Sequence, residues 1–267
     1  MRLTACLALF AVLAATPACA ADDDSAITVT RPGGASALPA ETYESNMVVP
    51  ELYGTIRVEG ALRDVDGLGE DLITQSQRQV SDTLDAARSR RQAAPDIFSR
   101  WSLSVDWSAR YVDADLASAV GVTALTEGRG DPTESFETIV RDLSSGADLP
   151  ITAFLANRAD GGPALRALSE AAFAAWAEAS PLVGDNIDLV DERTLVDARD
   201  GLAPRASTFA AYALRASQSA PGRIAGFELY FPAGALGHPS EGAYQLFVPA
   251  AAVAGQLDPA RAHLFAE

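Results

Sequence analysis

A chain of 267 residues in which 48% are apolar has material for one large or two small domains and a substantial core. Its 36 acidic residues outnumber 20 basic ones, all of them arginine, which leaves a net charge of −16 and a pI near 4.4. Such a surface repels phosphate backbones, which argues against a nucleic-acid partner and for a basic one.

The N-terminus has the layout of an export signal. Arg2 precedes an apolar run, LTACLALFAVLAA (3–15), too short to span a bilayer. Ala18-Cys19-Ala20 has the small-x-small pattern of a cleavage site, so residues 1–20 read as a signal peptide cut after Ala20 and the protein as periplasmic or secreted. The rival reading is a lipoprotein anchored through Cys19, for which Thr16-Pro17-Ala18 makes a poor lipobox. Both cysteines, Cys6 and Cys19, fall in this segment, so the exported chain is expected to fold without disulfides. No later apolar run has the length of a membrane helix.

Residues 21–45 are acidic, then rich in Pro, Gly, Ala and Ser, and read as a disordered tether. Residues 46–60 suit one or two short strands. Over 68–93, Ile73, Val80, Leu84 and Ala87 share a helical face, with Arg88, Arg90 and Arg91 at the C-terminal end. The period then becomes two. In WSLSVDWSARYV (101–112) the residues Leu103, Val105, Trp107, Ala109 and Tyr111 alternate with polar ones, which predicts a half-buried strand with Trp107 and Tyr111 in the core. Residues 115–126 and 135–143 supply two further strands, giving an antiparallel meander over 101–143. The intervening Gly128-Arg129-Gly130-Asp131-Pro132 reads as its hairpin turn and not as an adhesion tripeptide.

Further along, 163–179 is a predicted helix with Leu165, Leu168, Ala172 and Trp176 buried and Pro163 in the first turn. Residues 190–215 are expected to hold more helix. Strands at 223–231 and 242–250 flank a loop that contains His238, and Asp258-Pro259 suggests a short terminal helix. The expected fold class is α+β: an antiparallel sheet of N-terminal strands plus the meander, helices on one face, and two C-terminal strands. The folded region is placed at 46–267, with subdomains at about 46–157 and 158–267.

Chemistry is sparse. After the export segment, His238 and His263 are the histidines available, and neither a nucleophile elbow nor a zinc-binding helix motif is present. No metal and no cofactor is expected. Carboxylates at Asp113, Asp115, Glu127, Asp131 and Glu134 leave room for a paired-acid glycan hydrolase, against the alternative of a solvated acidic loop. Candidate binding residues are Glu127, Arg129, Asp131 and Glu134 around the turn and His238 in its loop. Tyr230 joins them because its parity is opposite to that of Phe227, Leu229 and Phe231.

Two short stretches, Arg141-Asp142-Leu143 through Gly146 and Gly242 through Pro249, carry a resemblance. Over about residues 46–265 the chain resembles the paired domains of unknown function in the extracytoplasmic part of the RsiV anti-sigma factor. Domains of the same kind stand beside the catalytic domain of the PdaC peptidoglycan deacetylase. Where that family often carries a Gly-Gly-Ala-His type turn, this chain has Gly128 to Pro132, so no role of that histidine carries over. The resemblance implies an exported, non-catalytic envelope module that binds peptidoglycan or a basic lysozyme-like protein. A carboxylate-dependent glycan hydrolase and a structural or stress-related envelope adaptor without a small ligand are the alternatives.

Overall fold

The structure is a computed structural model that describes residues 41–180 and 192–266. The expected export segment, with Cys6 and Cys19, and most of the expected tether lie outside the described residues. Two sheets organise the fold. The first has five strands in sequential order: β1 (Tyr43–Val48), β2 (Leu52–Val58), β3 (Trp101–Val112), β4 (Leu116–Thr126) and β5 (Thr133–Asp142). The second has three: β6 (Tyr212–Ala216), β7 (Ile224–Phe231) and β8 (Tyr244–Pro249). The helices are α1 (Gly60–Arg63), α2 (Leu68–Ala93), α3 (Pro163–Ala179) and α4 (Glu192–Gly201). No described helix is long and apolar enough to cross a membrane.

The α+β class, the meander and the helices at 68–93 and 163–179 are as the sequence predicts. Five expectations about the elements are corrected. β1 starts at Tyr43, inside the stretch read as a tether, because Tyr43 and Met47 alternate onto the core beneath α2. The first sheet is mixed: β2 pairs with β3 in parallel. A parallel pair needs a long crossover, and α2 is that crossover, which seats it on one face of the sheet. The helices do not share that face, since α3 packs on β8 of the second sheet. Among the described residues of 190–215, α4 and a 3-10 turn at Ala206–Phe209 are helical; Tyr212–Ala216 is a third C-terminal strand, whose alanines hid its pairing with β7. After Asp258 the chain makes only a short 3-10 turn at Ala262–Leu264.

α2 turns Leu72, Ser76, Val80, Leu84 and Ala87 inward. Leu72, Val80 and Leu84 meet Leu103, Val105, Trp107 and Ala109 of β3 in one core cluster. Ser76 is the one polar member of that stripe, and it is fully bonded: its hydroxyl donates to Leu72 O at 2.7 Å and accepts the Trp107 indole N–H at 3.1 Å. The second cluster gathers Phe154, Leu165, Leu168, Trp176 and Phe227, and reaches Tyr111, Leu116 and Val140 of the first sheet.

The two sheets are joined by β6. Its Leu214 N–H donates to the buried Ser118 hydroxyl at 2.8 Å, and its Tyr212 N–H donates to Thr138 Oγ1 at 3.1 Å. Strand-edge donors that would otherwise be open are thereby satisfied on the face of the first sheet opposite α2. Tyr230 is corrected by the same contact. It is 3% exposed, because the face of β7 expected to be open is covered by Val120 and Phe136.

Gly121 lies directly against Trp107; a Cβ there would come within 2.7 Å of the indole. Gly121→Ala is expected to destabilise the protein by about 1–3 kcal/mol through overpacking, read as a lower urea midpoint together with a changed tryptophan fluorescence spectrum.

Candidate functional site

Antiparallel pairing brings the start of β3, the end of β4 and the start of β5 to one end of the first sheet. The turn at 127–132 closes β4 onto β5, as its glycines and proline predict. Gly128 adopts φ +74°, and its Cα packs so close to Ser99 that a Cβ would stand 3.1 Å from the Ser99 side chain. The turn therefore rests on the segment leading into Trp101.

Between this end of the sheet and α2 runs an open groove of about 450 Å³. Gln75, Gln79 and Asp82 line it from the helix, at the i, i+4, i+7 spacing of one face. Trp101, Leu125, Glu127 and Glu137 line it from the strands, and Arg78 and Thr83 complete its rim. Gln75 Nε2 donates to Glu137 at 2.5 Å and Gln79 Nε2 donates to Thr123 Oγ1 at 3.1 Å, so helix and sheet are tied across the floor. Trp101 is half-buried, with part of its indole available to a ligand.

Of the residues predicted from sequence, Glu127 lines this groove. Arg129 and Asp131 are exposed in the turn beside it. Glu134 pairs with Ala124, and Glu137 pairs with Gly121. Their odd separation sends them to opposite faces of β5: Glu137 towards α2, Glu134 away from it. Glu127 and Glu134 thus do not face one another as a glycosidase pair must. Asp113 and Asp115 stand at the other end of β4, an 11-residue strand, roughly 35 Å away. Asp113 is occupied structurally: Oδ1 accepts from the N–H groups of Asp115 and Leu116 at 2.8 and 2.7 Å, and Oδ2 accepts from the Tyr111 hydroxyl at 2.5 Å. Burial and this carboxylate push the Tyr111 phenol up.

The other two candidates belong to the second sheet. The Tyr230 hydroxyl donates to Glu228 Oε2 at 2.8 Å, and its ring lies 5.4 Å from that of Phe136. It is a joint between sheets and not a surface contact. His238 is exposed, as expected, but its ring caps a turn: Nδ1 accepts from Ser240 N–H at 3.2 Å, while its backbone N–H donates to Glu241 at 2.7 Å. Among the described residues no cluster of His, Cys, Asp and Glu is arranged to hold a metal ion.

Sequence reading missed Gln75, Gln79, Asp82 and Glu137, although the polar stripe on α2 was visible beside its apolar one. What could not be seen was which strand ends that stripe would face, because the parallel β2–β3 pairing went unrecognised.

No family model and no curated protein matches the sequence. Two solved structures resemble it in fold. One is a DUF3298 family member from Bacteroides fragilis, 8% identical, with a TM-score of 0.50 over 83% of this chain and 94% of that one. The chain shares its fold with that DUF3298 protein. The other, a DUF3298 family protein from Pseudomonas aeruginosa, is 13% identical, with a TM-score of 0.49 over 87% of this chain and 98% of that one. At such identities no residue role transfers from the DUF3298 structures, and the groove stands on its own geometry.

The Arg141–Gly146 stretch, which carried the resemblance read from sequence, is a structural turn. Asp142 Oδ1 accepts from Ser144 Oγ at 2.6 Å and from the N–H groups of Ser144 and Ser145 at 3.1 and 3.0 Å. These bonds, the Ser144 hydroxyl foremost, hold the Asp142 carboxyl below the usual aspartate range. Because the folded pKa is depressed, the turn keeps this support at neutral pH and loses it as pH falls through the lowered value. Carboxyl NMR shifts followed against pH should place the Asp142 midpoint below that of an exposed aspartate, and Ser144→Ala should move it upward.

Proposed function

We propose that this protein is an exported, non-catalytic binding module of the cell envelope, whose partner is a basic wall-lytic protein of the lysozyme type. The observation that carries this reading is the groove. Asp82, Glu127 and Glu137 place three carboxylates around the half-buried Trp101 indole, with one arginine, Arg78, among them. Asp131 extends the acidic surface from the adjoining turn. An arginine or lysine side chain entering the groove would meet the Trp101 ring and carboxylates together, a pairing that favours cations. The net charge of −16 adds long-range attraction for a basic partner and speeds encounter. The RsiV-like resemblance supports the same class of partner.

Peptidoglycan itself is the second reading, and a specific feature favours it. Trp101 with the Gln75 and Gln79 side-chain amides is the combination of stacking surface and neutral hydrogen-bonding groups that suits N-acetylated sugars.

The test is retention of the purified protein on immobilised lysozyme and, separately, on purified peptidoglycan. Retention on lysozyme should fall steeply between low and high salt. The double substitution Glu127→Gln, Glu137→Gln should weaken it at least about tenfold, the order expected for loss of two charge-assisted contacts. Salt-insensitive retention on peptidoglycan alone, lost in Trp101→Ala, would replace the first reading by the second. Retention on neither contradicts both.

A further inference from the structure

Glu228 lies in the middle of β7, and its side chain is only 5% exposed. A carboxylate so placed is costly unless it is paired. Three groups surround it. The Tyr230 hydroxyl donates to Oε2; Arg110 Nε stands 3.4 Å from Oε2, and Arg215 Nε stands 3.7 Å from Oε1. One guanidinium would neutralise the acid. Two leave a local excess of positive charge, in a chain whose net charge is −16.

The backbone is shaped to bring both arginines there. The β3–β4 ladder shifts register between Ala109 and Tyr111, which makes Arg110 the extra residue of a bulge. The β6–β7 ladder shifts between Arg215 and Ala216. Bulges re-aim side chains and recur beside functional sites. The first bulge turns Arg110 towards the buried acid, while Arg215 reaches it from a regularly paired position of β6, two residues on from Ala213, the cross-strand partner of Glu228. Both arginines approach Glu228 through Nε. Arg110 is 29% exposed and Arg215 46% exposed. The Arg215 guanidinium is steadied 4.8 Å over the Phe247 ring. Among the described residues no hydrogen bond takes up its terminal nitrogens.

We propose that Arg110 and Arg215, oriented from below by Glu228, form a binding site for a small anionic group, a carboxylate or a phosphate, at the joint between the two sheets. Guanidinium nitrogens in fixed orientation match the paired oxygens of such groups. The site lies on strands other than those of the groove and stands or falls independently of the envelope-binding reading.

The experiment follows the arginine Nε–Hε NMR signals of the full chain during titration with N-acetylalanine and, separately, with inorganic phosphate. Saturable shifts of Arg110 and Arg215 are expected with at least one probe, and the preferred probe identifies the anion class. Arg215→Gln should weaken that binding tenfold or more, with Arg215→Lys intermediate because it keeps charge but loses the planar fork. Arg215 is half-exposed, so both variants should keep the wild-type thermal midpoint within a few degrees. Should Arg215→Gln fail to fold, the Arg215→Lys titration decides the matter. Shifts that do not saturate, or that are equal in wild type and variants, would overturn the proposal and leave the two arginines as counter-charges for Glu228 alone.

Discussion

The Trp107 indole occupies the space left open by Gly121 and donates its N–H to Ser76 of α2. That contact fixes helix, β3 and β4 relative to one another, and the rest of the molecule follows from it. With α2 seated on one face, β2 and β3 run parallel, and the segment entering β3 and the β4–β5 turn meet at one end of the sheet. The polar stripe of α2 then faces the strand ends across a groove. The other face is free to receive β6, whose backbone donors find Ser118 and Thr138. A helix displaced by even one turn would carry Gln75, Gln79 and Asp82 away from Trp101 and Glu137.

Much of this was legible in the sequence because its signals are local. The alternation from Leu103 to Tyr111 and the apolar stripe of α2 are periodic patterns that need no knowledge of distant residues. Turn chemistry at Gly128–Pro132 is equally local. What escaped was long-range. Parallel pairing of β2 with β3 joins segments separated by the whole of α2. β6 is five residues long and rich in alanine, so only its partners define it as a strand. Tyr230 was misplaced for a related reason: parity assigns a residue to a face, but whether that face is covered depends on another sheet. Glu228 shows the same limit, since its two arginines come from β3 and β6.

Charge and shape address different parts of the functional question. For the proposed basic partner, the strongly acidic surface would set the salt dependence of encounter, but it does not locate contact. Location comes from the groove, where an indole edge, two amides and three carboxylates converge. Its acids are divided between roles: Glu137 is tied to Gln75, while Asp82 and Glu127 stand at the rim. On the proposed reading, these groups would receive a cation or a sugar.

The central claim is that binding occurs at the groove. Backbone amide NMR shifts of the isotope-labelled protein, recorded during titration with lysozyme at low salt, test it most directly. The account predicts a contiguous footprint on residues 75–86 of α2, on Trp101 and on 125–137, with the C-terminal sheet unperturbed. A saturable footprint confined to the second sheet, or to β1 and β2, would contradict it.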